Sequence, residues 1–213
     1  MHTTTGFCFA LLAGCAAALQ STPALANDTQ VWLNGGVAFS LDDDVKAAVD
    51  VSQRWIDDGN QFLLRGNVDV NVTKRVSLGG GAAYVDLANG HEFRPHQQLT
   101  LKFGHVGLRT RLEERFFSDA DRAQLRLRQR VALALPVTGR LDAALTAEGF
   151  YVLQSQTPGG RDGFVQYRLG GALARRITPD FDIGAGYLLI GNVRPNAPDA
   201  YDHVLQIVIG ARL

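Results

Sequence analysis

The feature that most constrains this chain is a hydrophobic period of two, sustained along nearly its whole length. In residues 106–116, Val106, Leu108, Thr110 and Leu112 fall on one face, and Gly107, Arg109, Arg111, Glu113 and Arg115 fall on the other. Residues 124–135 set Leu125, Leu127, Val131, Leu133 and Leu135 against Gln124, Arg126, Arg128, Arg130, Ala132 and Ala134. Residues 62–72 set Phe62, Leu64, Val68, Val70 and Val72 against Arg65, Asn67, Asp69 and Asn71. A helix would scatter these charges around its circumference. A strand gathers them on one side.

Eleven such segments follow one another, near 30–41, 45–55, 61–72, 76–86, 93–103, 106–117, 123–135, 141–152, 164–174, 181–191 and 201–213. They are longer than the roughly 5–6 residues usual for soluble strands. They match the roughly 9–11 tilted residues that a strand needs to cross a bilayer. Short connections at Asp42–Asp44, Thr73–Arg75, Gly104-His105, Thr138–Arg140 and Ile177–Asp180 alternate with longer ones near 56–60, 87–92, 118–122, 153–163 and 192–200. The longer ones carry turn formers, such as Asp58-Gly59-Asn60, Asn89-Gly90 and Pro158-Gly159-Gly160. Outer-membrane barrels have short periplasmic turns and longer outer loops. The pattern therefore predicts an all-β, antiparallel transmembrane β-barrel of about 10–12 strands. Single-chain bacterial barrels have even strand numbers, which favours 10 or 12 over the eleven segments counted.

Aromatic placement supports the same orientation. Trp55, Phe62, Tyr84, Phe93, Phe116, Tyr151, Tyr167 and Tyr201 share the apolar parity and lie near the longer loops. That is the place of an outer aromatic girdle. Phe39, Phe103 and Phe181 lie at the opposite ends, as a sparser second girdle. β-Propensity alone also favours aromatics in strands.

The first residues read as a targeting segment. Gly6 to Leu19 is almost wholly apolar, and Ala24-Leu25-Ala26 has the small-x-small form of a signal-peptidase site. Residues 1–26 are expected to be a signal peptide, and 27–213 the barrel, in the bacterial outer membrane. Residues 1–5 contain no Lys or Arg, which is atypical. Leu12-Ala13-Gly14-Cys15 offers the rival of a lipobox. Both cysteines, Cys8 and Cys15, precede Asn27, so the expected barrel has no disulfide framework and no thiolate chemistry. The 21 Lys and Arg residues balance the 21 Asp and Glu residues, which gives no support to a nucleic-acid partner.

The inward face is rich in charge: Arg109, Arg111, Glu113 and Arg115 on one strand, Arg126, Arg128 and Arg130 on the next, then Glu148 and Arg168. Lys46, Asp50, Arg54, Arg65, Asp69, Lys102 and Asp182 share that parity. Such a lumen has two readings. In a small barrel the charges interlock as a packed polar core. In an open one they line a pore that attracts anions.

Catalytic and metal signatures are missing. His91, His96, His105 and His203 form no short Ser/His signature, and His91 and His105 are expected in connections. Asp42-Asp43-Asp44 and Asp57-Asp58 lack the spacing of a calcium loop and read as solvated turns. Gly79-Gly80-Gly81 lacks the Lys-Ser/Thr of a phosphate loop, so it reads as a bend or a close approach. No enzyme activity, cofactor or metal is expected.

Several markers together resemble the bacterial barrel family catalogued as domain of unknown function 2490. They are Trp32, Gln53-Arg54, Tyr84, Arg109, Arg111, Arg115, Arg126, Arg128, Ala147-Glu148, Tyr167-Arg168, Tyr187 and His203, in that order. The resemblance implies a small outer-membrane barrel with no established activity and no catalytic residues to carry over. Glu148 and Arg168 are the positions to watch, as inward charges able to pair across the lumen. The alternation of Leu205, Ile207, Ile209, Ala211 and Leu213 resembles the signal read by the barrel-assembly machinery, with Leu213 where an aromatic is usual. Expected partners are outer-membrane lipid, that machinery and an unidentified small solute. The leading function is a narrow channel or a structural envelope protein. The rivals are an outer-membrane enzyme acting on lipid or peptide and a soluble periplasmic binder.

Overall fold

A computed structural model describes residues 27–57 and 59–213. The expected signal peptide and lipobox lie outside these residues. Eleven strands follow in order: β1 (Asn27–Ser40), β2 (Val45–Trp55), β3 (Gln61–Asn71), β4 (Val76–Leu87), β5 (Gly90–Phe103), β6 (Val106–Phe117), β7 (Gln124–Thr138), β8 (Leu141–Gln154), β9 (Gly163–Thr178), β10 (Phe181–Asn192) and β11 (Ala200–Arg212). Consecutive strands pair antiparallel, and β1 pairs with β11 to close the barrel. Closure leaves no sheet edge, so every strand has a hydrogen-bonded neighbour on each side.

The expectation of an even strand number is not met. The barrel closes with eleven, and the closing pair is parallel, running from Asn27↔Tyr201 to Ala38↔Arg212. An odd number forces this, because β1 and β11 both run from the long-loop end to the short-turn end. Residues 27–40 form a complete strand that spans the barrel height. The seam is extended by Leu213 N–H donating to Ala38 C=O at 2.9 Å.

The turns at one end are short. Gly104-His105, Gly139-Arg140 and Pro179-Asp180 each join two strands in two residues. The other end carries the connections 118–123, 155–162 and 193–199. One expected long loop, near 87–92, is a two-residue turn instead: Leu87 pairs with Gly90 around Ala88-Asn89. Gly90 has φ +137°, a value glycine adopts without strain. His91 is correspondingly on β5, where its ring stacks on Tyr84 at 5.9 Å, and not in a connection. His105 lies in a turn as expected.

Side-chain alternation sorts the faces. Outward positions are apolar and exposed from Val31 and Leu33 on β1 to Leu205, Ile207 and Ile209 on β11. A polar pair interrupts this belt: Thr110 Oγ1 donates to Gln129 Oε1 at 2.6 Å, each partly satisfying the other. The triple glycine of β4 marks a close approach of β3 and β4. A Cβ at Gly79 would fall 2.7 Å from the Val68 carbonyl and strike the Asp69 carboxylate.

Candidate functional site

The site is the barrel interior, and its charged wall is built on β5–β8. Inward positions pair in register across these strands: Gln98↔Arg111↔Arg128↔Phe150 and His96↔Glu113↔Arg126↔Val152. Alternation thus stacks arginines and glutamates on neighbouring strands at the same height. Glu113, 1 % exposed, accepts from Arg126 Nη2 at 2.5 Å and from Arg128 Nη1 at 2.6 Å. Arg128 also donates through Nη2 to Glu148 Oε2 at 2.9 Å, and Arg109 Nη2 donates to Glu148 Oε1 at 2.9 Å. The result is a continuous chain, Arg126–Glu113–Arg128–Glu148–Arg109. A second cluster lies nearer the long-loop end. Buried Glu92 accepts from Arg94 at 2.6 and 2.7 Å and from Arg115 at 2.6 and 2.9 Å. Arg111 donates to Gln98 Oε1 at 2.6 and 3.0 Å.

Aromatic rings support these cations from behind. Phe150, 1 % exposed, lies under Arg126, Arg128 and Arg168, at 5.2, 4.7 and 4.6 Å. Phe117 lies under Arg115 at 4.5 Å. Trp32 lies under Arg54 at 4.1 Å and Arg168 at 5.5 Å. Its Nε1–H donates to Gln30 Oε1 at 2.9 Å, which leaves the ring face free to receive guanidinium groups.

Two features of the interior escaped sequence reasoning. Trp32, Leu188, Ile190 and Val204 form a buried apolar cluster on β1, β10 and β11, across the lumen from β6. The signal was present: Leu188-Leu189-Ile190 and Val204-Leu205 are apolar at both parities, as in strands buried on both faces. The second feature is small residues near the short-turn end. Inward pairs there read Ala134↔Ala144, Ala144↔Ala172, Ala172↔Gly186 and Ala174↔Gly184.

These two features shape the empty space. A cavity of about 520 Å³ occupies the short-turn half, against Gly36, Ala38, Ala48, Gly210 and the charged residues Asp182 and Arg212. A second cavity of about 300 Å³ lies toward the long loops, against Glu92, Arg94, Arg115 and Arg126. Arg54, Leu63, Arg65, Arg128 and Arg168 line both. These shared side chains mark the level between the two cavities, termed the waist.

Arg109, Arg111, Glu113, Arg115, Arg126, Arg128, Arg130, Glu148 and Arg168 all project to this interior. Glu148 and Arg168 do not pair across the lumen. They are neighbours in register on β8 and β9, and both Glu148 oxygens are occupied by Arg109 and Arg128. Arg168 Nε turns instead to Gln166 Oε1 at 2.9 Å. Trp55, Phe62, Tyr84, Phe93, Phe116 and Tyr151 project outward near the long-loop end, each 40–50 % exposed. Tyr167 and Tyr201 flank Gly191 there, in register from either side. Phe164 and Tyr187 join them on the outside, and Tyr187 hydrogen-bonds His203. Among the described residues no three His, Cys, Asp or Glu side chains converge as metal ligands.

The described residues thus form a closed all-β barrel with an apolar outer face and a largely polar interior that holds cavities. The solved NanC porin has a similar fold, at TM-score 0.56 and 10 % identity over 83 % of this chain and 94 % of that one. A membrane-protein structure from work on in-meso crystallization superposes at TM-score 0.44 and 15 % identity, over 77 % of each chain. No curated protein matches in sequence. The chain belongs to the family described as "Protein of unknown function (DUF2490)", whose model matches residues 29–199.

Proposed function

We propose that the protein is an outer-membrane barrel acting as a narrow, anion-preferring channel. The membrane reading is supported by the exterior. Apolar side chains exposed on every strand would be a large aggregation liability in water, and lipid is the solvent that suits them. The long-loop end, with its rim of aromatics, then faces outward, and residues 1–26 serve as the export signal.

The channel reading rests on one observation: two cavities of the lumen share a lining of Arg54, Arg65, Arg128 and Arg168 with Leu63. The wall itself carries a surplus of cations. Arg94, Arg109, Arg111, Arg115, Arg126, Arg128 and Arg130 stand against Glu92, Glu113 and Glu148. Rings of arginine favour anions. The alternative is a structural envelope protein whose charged interior is packed shut.

Purified folded protein in a planar bilayer separates the two. The channel gives discrete current steps, and a KCl gradient gives a zero-current potential of the sign expected for chloride. Silence from protein shown to be folded and inserted would overturn the channel in favour of the structural role.

A further inference from the structure

We propose that Arg54 and Arg168 form a binding site for a small oxyanion, a carboxylate or phosphate group, at the waist of the lumen. This deepens the channel reading by naming the class of solute that the waist would hold.

The argument starts from what each arginine does with its donors. A guanidinium has five N–H groups in a fixed plane and no acceptor. Arg128 uses all three nitrogens on Glu113 and Glu148. Arg115 uses all three on Glu92 and Gln124. Arg65, the other paired cation of the waist, donates to Asp50 at 3.1 Å. Arg54 and Arg168 differ. Arg54 donates only through Nε, to Ser52 Oγ at 3.3 Å. Arg168 donates only through Nε, to Gln166 Oε1. Among the described residues, neither has a carboxylate within 4.0 Å, and the terminal Nη1 and Nη2 of both lack a protein acceptor.

Both are nonetheless held in place. Arg54 stacks on Trp32, and Arg168 touches both Trp32 and Phe150. Aromatic faces and neutral acceptors fix the planes of the two guanidinium groups without neutralising them. Both side chains border both cavities, so their free ends face open lumen. Two like charges held on one indole ring repel each other, and an anion between them removes that repulsion. A carboxylate or a phosphate also matches guanidinium geometry, accepting two parallel N–H bonds from one fork and further N–H bonds from the other. The wall across the lumen cannot supply that anion, because its glutamates are already saturated by other arginines.

The test is calorimetric titration of the full barrel, folded in detergent at low salt, with inorganic phosphate, with glucuronate, and with uncharged glucose. Phosphate alone, glucuronate alone or both should bind, which identifies the group that the site takes, and glucose should not. R54Q/R168Q should weaken binding by roughly tenfold or more, since charge-assisted hydrogen bonds are lost. R176Q, at the short-turn end, should leave binding unchanged. R54K/R168K keeps both charges and serves as the folded comparison if the glutamine variant is unstable; point charges without the fork should still weaken severalfold the binding of whichever anion the wild type holds. Absence of phosphate and glucuronate binding to the wild-type barrel would overturn the site, as would equal binding by R54Q/R168Q or by R54K/R168K. Binding in detergent does not require conduction. A silent barrel that binds keeps this site and loses the channel; a conducting barrel that does not bind does the reverse.

Discussion

The wall of β6 and β7 and the seam of β11 and β1 stand on opposite sides of the same lumen, and they are held together differently. The wall is antiparallel, and its inward face is a ladder of guanidinium and carboxylate groups. The seam is parallel, and its inward face is centred on Trp32 and Val204, packed with Leu188 and Ile190, with neutral Gln30, Asn34 and Gln206 beside them. Parallel pairing is slightly weaker per residue, and its side-chain packing comes from an apolar cluster instead of ion pairs. The contrast shows that a charged interior need not be charged all round. Long arginines extend from one side, and an apolar surface on the other receives them through Trp32.

If that division is right, the largest loss should come from breaking the wall at its most enclosed carboxylate. Glu113→Gln removes the charge shared by Arg126 and Arg128 while keeping the shape. Buried cations are then left uncompensated, at a cost of about 3–5 kcal/mol. Urea unfolding of the barrel in lipid vesicles, followed by tryptophan fluorescence, reads this directly. A change under about 1 kcal/mol would mean that lumen water screens the wall and that the ladder is not structural.

The seam should be cheaper to damage. Val204 is fully buried, so Val204→Ala removes two methyl groups from an enclosed cluster, for a loss of about 2 kcal/mol. The same unfolding experiment in low and high salt sharpens the contrast. The Val204→Ala effect should hold constant with salt, because no charge is involved, whereas the Glu113→Gln effect should shrink as counterions enter the lumen. Equal salt dependence of the two would remove the distinction.

The same contrast marks what the amino-acid sequence reveals and what it does not. Alternation located all eleven strands, because a one-residue slip would turn every Leu of β7 inward and every Arg outward. Boundaries were least legible where strands run past the apolar belt, as at Pro136–Thr138 and Arg175–Thr178. The parity of closure was not legible, since it depends on whether the first and last strands meet, and local pattern carries no term for that. Parity also assigned Arg109 through Arg168 to one face without saying which arginine reaches which glutamate. Glu148 and Arg168, inward charges able to pair, show why. Adjacent register does not settle a contest in which Arg109 and Arg128 also reach Glu148. The seam cluster was hidden by the assumption that inward means polar, although β10 and β11 are apolar on both faces around Leu188 and Val204.

The smallest effect on stability should come from Arg130, which lies in the wall without belonging to its network. It faces Arg109 and Glu148 in register, yet neither Glu148 oxygen accepts from it, and it borders the larger cavity. Among the described residues Arg130 has no bonded partner, and such a cation gives up little when it is neutralised, so Arg130→Gln should shift unfolding by no more than about 0.5 kcal/mol. On the proposed channel reading it should still change the barrel's electrical behaviour. One positive charge fewer at the mouth of the waist lowers the local anion concentration, so the zero-current potential in a KCl gradient should move toward the non-selective value. The mutation therefore separates two kinds of arginine within one strand. Arg128 is tied at every nitrogen and its loss should be read in stability, whereas Arg130 is free and its loss should be read in selectivity. A stability loss at Arg130 comparable to that at Glu113 would erase that separation and make the entire wall a packed core.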